Sequence, residues 1–104
     1  MGILKFGIKG KEWSIIQKIF EEHKHIEKVI IYGERLSENY HRFANIDLTL
    51  KGPKLSSLDL FSVETLLYMS SLPYRCNVSL YNELEDLALI DHINRRGITI
   101  YERC

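Results

Sequence analysis

The feature that most constrains this chain is a pair of short strands set on either side of a glycine. Val29-Ile30-Ile31-Tyr32 is branched and apolar throughout, the composition of a strand buried on both faces. It runs directly into Gly33-Glu34-Arg35. Ten residues past Arg35, Asn45-Ile46-Asp47 opens a second strand, in which Ile46, Leu48 and Leu50 alternate with Asp47, Thr49 and Lys51. Successive side chains on a strand point to opposite faces, so this second strand has one core face and one polar face. Leu36 to Ala44 is polar and irregular, a connection rather than a core element.

The remaining segments read as helices and strands that would cover and extend this pair. Trp13, Ile16, Ile19 and Phe20 recur at helical spacing among Lys and Glu, which predicts an amphipathic first helix with a solvated outer face. Gly52-Pro53 ends the second strand. Ser56 with Asp59 makes a capping box for a helix through about Met69, with Leu58, Phe61, Leu66 and Met69 as its buried stripe. After Pro73 comes a third strand, Arg75 to Tyr81. Asn82 with Glu85 predicts the cap of a third helix carrying Leu84, Leu87, Ala88 and Ile93. Arg95-Arg96 suit its last turn and Gly97 its C-terminal stop. Ile98 to Tyr101 is a last strand, placed where a sheet edge could pair with a second copy. The order α-β-β-α-β-α-β predicts an α/β (α+β) fold: a mixed sheet of four strands with helices packed on it.

Composition narrows the function classes. The 104 residues make one domain, 1–104. With 14 basic and 14 acidic side chains the net charge is zero, which argues against broad binding to nucleic acid or to a membrane surface. No apolar run approaches the roughly 20 residues of a membrane span, and the amino terminus lacks a signal-peptide core. Met1-Gly2 begins like a myristoylation signal, but Phe6 stands where Ser or Thr is required. Cys76 and Cys104 suggest no disulfide framework, and the expected location is the cytoplasm. Among the histidines, His23 and His25 would diverge on a helix, while His41 and His92 lack companions at ligand spacing, so no zinc site is expected.

From end to end the chain resembles the minimal nucleotidyltransferases, small relatives of DNA polymerase beta. Their pattern is a strand, Gly-Ser-Arg, about ten residues, Asp-x-Asp, and a third Asp on a later strand. Val29 to Arg35 is similar to the first part and Asn45 to Leu50 to the second. Arg75-Cys76-Asn77-Val78-Ser79-Leu80-Tyr81 resembles the third strand, with Asn77 in place of its acid. The opening Phe6-Gly7-Ile8 and the ending Ile90 to Tyr101 also fit. The resemblance implies a nucleotidyltransferase fold, a nucleoside triphosphate such as ATP as ligand, Mg2+ as cofactor, and a small helical partner of the HEPN class, paired as antitoxin with toxin.

In that family the glycine turn brings backbone N–H groups close to the triphosphate, and carboxylates hold the magnesium that supports displacement at phosphorus. This sequence keeps Gly33, Arg35 and Asp47. It has Asn45 and Asn77 at the other two acid positions and puts Glu34 where a small hydroxyl residue belongs. Two unit charges at about 4 Å interact by roughly 4 kcal/mol at an effective dielectric near 20. An ion that loses two carboxylates therefore loses several kcal/mol of binding, and an amide neither neutralises the ion nor accepts a proton. Mg2+ is thus expected to bind Asp47 weakly or not at all.

Each of these residues also has a plainer reading. Gly33 can simply end a strand, and Glu34 can face solvent or pair with Arg35 or Arg42 rather than ligate metal. Asn45 and Asn77 can hydrogen-bond each other as a neutral pair. Cys76 on a buried strand reads as a small hydrophobe. Three functions follow. The first is a non-catalytic or weakly active antitoxin-like partner, with Asp47 vestigial. The second is a metal-dependent transferase using Asp47 and Glu34. The third is a nucleotide-binding regulator in which Gly33, Glu34 and Arg35 contact phosphate.

Overall fold

The computed structural model describes residues 6–37, 40 and 44–103. Arg42, His41 and Cys104 lie outside them. Helix α1 spans Gly10–Glu21, with Ile16, Ile19 and Phe20 buried and Trp13 half-buried at its edge. Strand β1 is Lys28–Tyr32 and is followed at once by a 3-10 turn, Gly33–Leu36. Strand β2 is Ile46–Lys51, helix α2 Ser57–Met69, strand β3 Cys76–Leu80, helix α3 Leu87–Arg96 and strand β4 Ile98–Glu102. A second 3-10 turn, Tyr81–Glu83, separates β3 from α3.

The four strands form one mixed sheet in the order β3-β2-β1-β4. β1 runs antiparallel to β2 and β4, and β2 runs parallel to β3. A parallel pair needs a long crossover, and α2 provides it. Apolar side chains on one face of the sheet, among them Val29, Ile31, Ile46, Leu48 and Leu50, pack with Ile16, Phe20, Val63 and Leu67 from α1 and α2 into the core. Helix α3 lies on the other side, against β1. β1 is sequestered on both faces as predicted, since Val29, Ile30 and Ile31 are all buried. β4 occupies a sheet edge. Among the described residues no helix is long and apolar enough to cross a membrane.

Three expectations need correction. The predicted buried stripe of α2 faces outward: Leu58 is 80% exposed, Phe61 68%, Met69 75% and Leu66 39%. Val63 and Leu67, one turn apart, enter the core instead. This helix is apolar around most of its circumference, so helical spacing alone did not choose the face. The capping box at Ser56 and Asp59 is present, with the Ser56 N–H donating to Asp59 Oδ2 at 3.1 Å.

The cap of α3 is Asp86 rather than Asn82 with Glu85. Its Oδ1 accepts from the N–H groups of Ala88 at 3.0 Å and Leu89 at 3.3 Å, satisfying donors that a helix start leaves open. The start thereby moves past Leu84, and of the predicted stripe only Ile93 is buried; Leu87 is 80% exposed. Gly97 does end α3, but not through a left-handed conformation, because its φ is −62°. A Cβ there would lie 2.5 Å from both Ile30 Cγ2 and the Ile93 carbonyl oxygen, so close packing against β1 is what requires glycine.

Candidate functional site at the Gly33 turn

Gly33 sits where β1 gives way to its 3-10 turn, at φ +88°, a left-handed value that side chains other than glycine rarely adopt. A Cβ at this position would collide with the Asp47 carboxylate. Glycine is therefore required by conformation, and any side chain here would also have to push the Asp47 carboxylate aside. The plain strand-end reading of Gly33 understates it.

Sheet register assembles the rest. Tyr32 faces Asp47 across β1 and β2, and Asp47 faces Asn77 across β2 and β3. One step along, Ile30, Thr49 and Ser79 form a second row on the same face. The Asn77 side-chain amide donates to Asp47 Oδ1 at 3.0 Å. Ser79 Oγ donates to Thr49 Oγ1, also at 3.0 Å. The Tyr32 phenol is pushed above its ordinary pKa by burial and, to a lesser degree, by the Asp47 charge, against an opposing hydrogen bond with Ser79. The suggested Asn45–Asn77 pair does not form. Asn45 is exposed just before β2, and the residue opposite Asn77 is Asp47.

Helix α3 contributes a residue that the sequence did not single out for this place. The Gly33 N–H donates to His92 Nε2 at 3.2 Å, which makes Nε2 the unprotonated nitrogen of a neutral imidazole. The same ring meets Tyr32 edge-on, with centroids 6.1 Å apart. Nearby, Tyr81 donates to Asn94 Oδ1 at 2.8 Å and so fastens the end of β3 to α3. The available signal for His92 was its place on the third helix, which follows the third strand and lies over β1.

Arg35 points the other way. Only 2% exposed, it donates through Nε and Nη2 to the Ala44 carbonyl at 3.2 and 2.8 Å and through Nη1 to the Phe6 carbonyl at 2.8 Å. Its guanidinium lies 4.5 Å from the Tyr74 ring centroid and 4.9 Å from that of Tyr40. Tyr74 in turn bonds the Gly7 carbonyl and Glu12, both at 3.0 Å. Arg35 thus binds the amino-terminal turn to the start of β2, and its donors face carbonyls of the protein. Glu34 is exposed in the turn between them.

These donors do not suit a pair of magnesium ions. Asp47 is the one carboxylate that β1, β2 and β3 place on this face, and one of its oxygens already accepts from Asn77. Among the described residues no three His, Cys, Asp or Glu side chains converge to hold a metal. What the arrangement offers is hydrogen bonding: a carboxylate, an amide, a phenol, an imidazole and one conformationally special backbone N–H. Two further described histidines serve the fold, His23 linking the Ile19 carbonyl (2.7 Å) to Ser62 Oγ (2.8 Å), and His25 lying 3.5 Å from Asp59. Cys76 is a free, half-buried thiol pushed by burial up to about 11, in keeping with an inert hydrophobe.

Comparison with known proteins agrees with this geometry. The family described as polymerase beta, nucleotidyltransferase matches residues 14–104. Among solved structures, a toxin-antitoxin with AMP-PNP superposes with a TM-score of 0.71 at 14% identity, covering 88% of this chain and 73% of that one. A mutant of the toxin-antitoxin MntA-HpeT gives 0.69 at 13% identity with the same coverage. A protein of Sulfolobus solfataricus carrying the nucleotidyltransferase name gives 0.53 at 16%, covering 89% of this chain and 82% of that one. At such identities the likeness is one of fold. No curated protein matches the chain in sequence.

Proposed function

This chain belongs to the polymerase beta nucleotidyltransferase family, and from that membership we propose that it is an antitoxin-like minimal nucleotidyltransferase that works by binding a helical partner of the HEPN class, with nucleotide transfer weak or lost. The observation that carries this reading is the bond between the Asn77 amide and Asp47. Where the family uses carboxylates to hold a cation, one acid here is satisfied by an amide donor. Such a site attracts a divalent ion far less than three acids would.

The outward face of α2 supports the binding half of the proposal. Leu58, Phe61, Tyr68 and Met69 are 68–89% exposed at helical spacing. Their summed exposed area is roughly 600 Å², at the upper end of the apolar patches found on monomers. One partner in a standard interface contributes about 800 Å². A straight apolar ridge of this kind suits a second helix laid alongside it. α2 and Asp47 also lie on opposite sides of the sheet, which separates a partner held at α2 from the old chemical centre.

Co-expression with a helical protein of the HEPN class is the direct test. The expected result is a complex that survives purification, in which the partner keeps its mass after incubation with magnesium and ATP. A gain of one nucleotide on the partner would overturn the reading. The transferase alternative, with Glu34 as second acid, requires that label and its loss in Glu34→Ala.

A further inference from the structure

We propose that His92 is a displaceable internal ligand of the Gly33 turn, occupying the backbone amide that a phosphate group of a nucleoside triphosphate would take. The inference rests on the family reading of this turn as phosphate-facing and adds to it the state in which this chain keeps the turn. A left-handed glycine with no side chain exposes its N–H to whatever lies in front of it. Here that is the lone pair of His92 Nε2, at 3.2 Å.

The imidazole is held in place from two directions. Its ring packs edge-on against Tyr32, the residue before Gly33. Its helix is anchored by the neighbouring Ile93, 1% exposed, and by the Tyr81–Asn94 bond at 2.8 Å. The contact itself is a neutral hydrogen bond at the long end of the normal range, weaker than the charge-assisted bond a phosphate oxygen would make with the same N–H. A triphosphate can therefore compete for the amide, but must first remove the ring and then tolerate Asp47 beside it. The site would be closed by a side chain of its own fold as well as weakened by missing acids.

The test uses the whole chain, nitrogen-15 labelled and titrated with magnesium AMP-PNP, alongside calorimetry on the parent, His92→Phe and His92→Ala. Phenylalanine keeps a ring against Tyr32 and removes the acceptor, so it should fold where alanine leaves a gap. His92→Ala, which removes both ring and acceptor, is expected to bind AMP-PNP about tenfold more tightly than the parent, whereas His92→Phe, which keeps a ring in front of the amide, is expected to bind no more tightly than the parent. In the parent, saturation should move the Gly33 amide and His92 Nε2 resonances together. Equal or weaker binding in His92→Ala, binding by His92→Phe as tight as by His92→Ala, a saturated parent with either resonance unmoved, or no binding in all three at millimolar ligand would overturn the proposal. The partner complex is a separate readout. His92 variants should co-purify with the helical protein as the parent does, so failure of the complex tells against the antitoxin reading and leaves the imidazole contact to the titration.

Discussion

Arg35 and Asp47 stand on opposite sides of the Gly33 turn, and the two sides are built differently. On the Arg35 side every feature is cross-linked: a buried guanidinium, two aromatic rings, and the carbonyls of Phe6 and Ala44 drawn together. On the Asp47 side, alternate strand positions carry Asn77, Thr49 and Ser79, with one hydrogen bond from Asn77 to Asp47 and two between Thr49 and Ser79. The lesson is that two residues of one motif can have unrelated roles. The arginine ties the amino-terminal turn to the start of β2. Among the described residues Asp47 carries no comparable cross-link, and its partner across the sheet is the amide of Asn77.

The sharpest way to break this contrast is Arg35→Met. Methionine fills the aliphatic volume but leaves the Phe6 and Ala44 carbonyls without their donors. We expect a loss of about 3–5 kcal/mol in unfolding free energy by urea titration, in the range for breaking a buried polar network. A loss under about 1 kcal/mol would mean that the guanidinium is a passenger and the comparison is wrong.

If the polar side no longer carries the function, binding energy must reside elsewhere, and α2 is the predicted place. Phe61→Asp should weaken the complex with the helical partner by about 2–3 kcal/mol, roughly 30- to 150-fold, as loss of an interface anchor does. Because Phe61 is 68% exposed, the isolated chain should keep its stability within about 0.5 kcal/mol. Affinity unchanged by this substitution would place the partner on another surface.

Most of the architecture was legible from the sequence for physical reasons that can be named. Two-residue alternation identified Ile46, Leu48 and Leu50 as core, and all three are buried. Branched composition identified β1. α2 was located but turned the wrong way, since a helix apolar on nearly every side carries no phase information and only the sheet decides what it buries. Asn82 lost to Asp86 because a carboxylate immediately before the helix reaches two free N–H groups at once. At the site, the family resemblance singled out Gly33, Asp47 and Asn77, and the structure sets Asp47 beside both of the others. Spacing did not reveal His92, which is 59 residues from Gly33 and meets it only after α3 has folded over β1. Nor did it show that Arg35 turns inward, because direction at the end of a strand depends on which carbonyls lie within reach.

The well-packed side also makes a prediction about pH. Burial raises the Cys76 thiol from an ordinary 9.0 to about 11, so the folded state keeps its proton where the unfolded chain has lost it. The stabilisation is complete below about pH 9 and is lost as pH rises from 9 towards 11. Two units of difference correspond to about 2–3 kcal/mol. Tyr32 and Tyr74 are also raised, and they add a loss of the same sign near the top of that window. Comparing the parent with Cys76→Val isolates the thiol: the parent should lose about 2 kcal/mol more between pH 8 and pH 10.5. Parallel curves would show that β3 is wetter than its packing indicates.

The smallest effect belongs to the Asp47 side. Asn77→Asp replaces the donor 3.0 Å from Asp47 Oδ1 with a second carboxylate. The hydrogen bond becomes a repulsion, relieved when one acid of the pair takes up a proton. At neutral pH without metal the variant should be about 1–2 kcal/mol less stable than the parent, the usual scale for a lost bond plus an unfavourable partly exposed charge. Millimolar magnesium should recover part of that loss in the variant and leave the parent unchanged, since only the variant offers two carboxylates to one cation. The readout is a thermal midpoint measured with and without magnesium, and it needs neither nucleotide nor partner. A magnesium response in the parent as large as in the variant would mean that Asp47 already holds the ion, and that the polar face has kept more of the family's chemistry than its residues suggest.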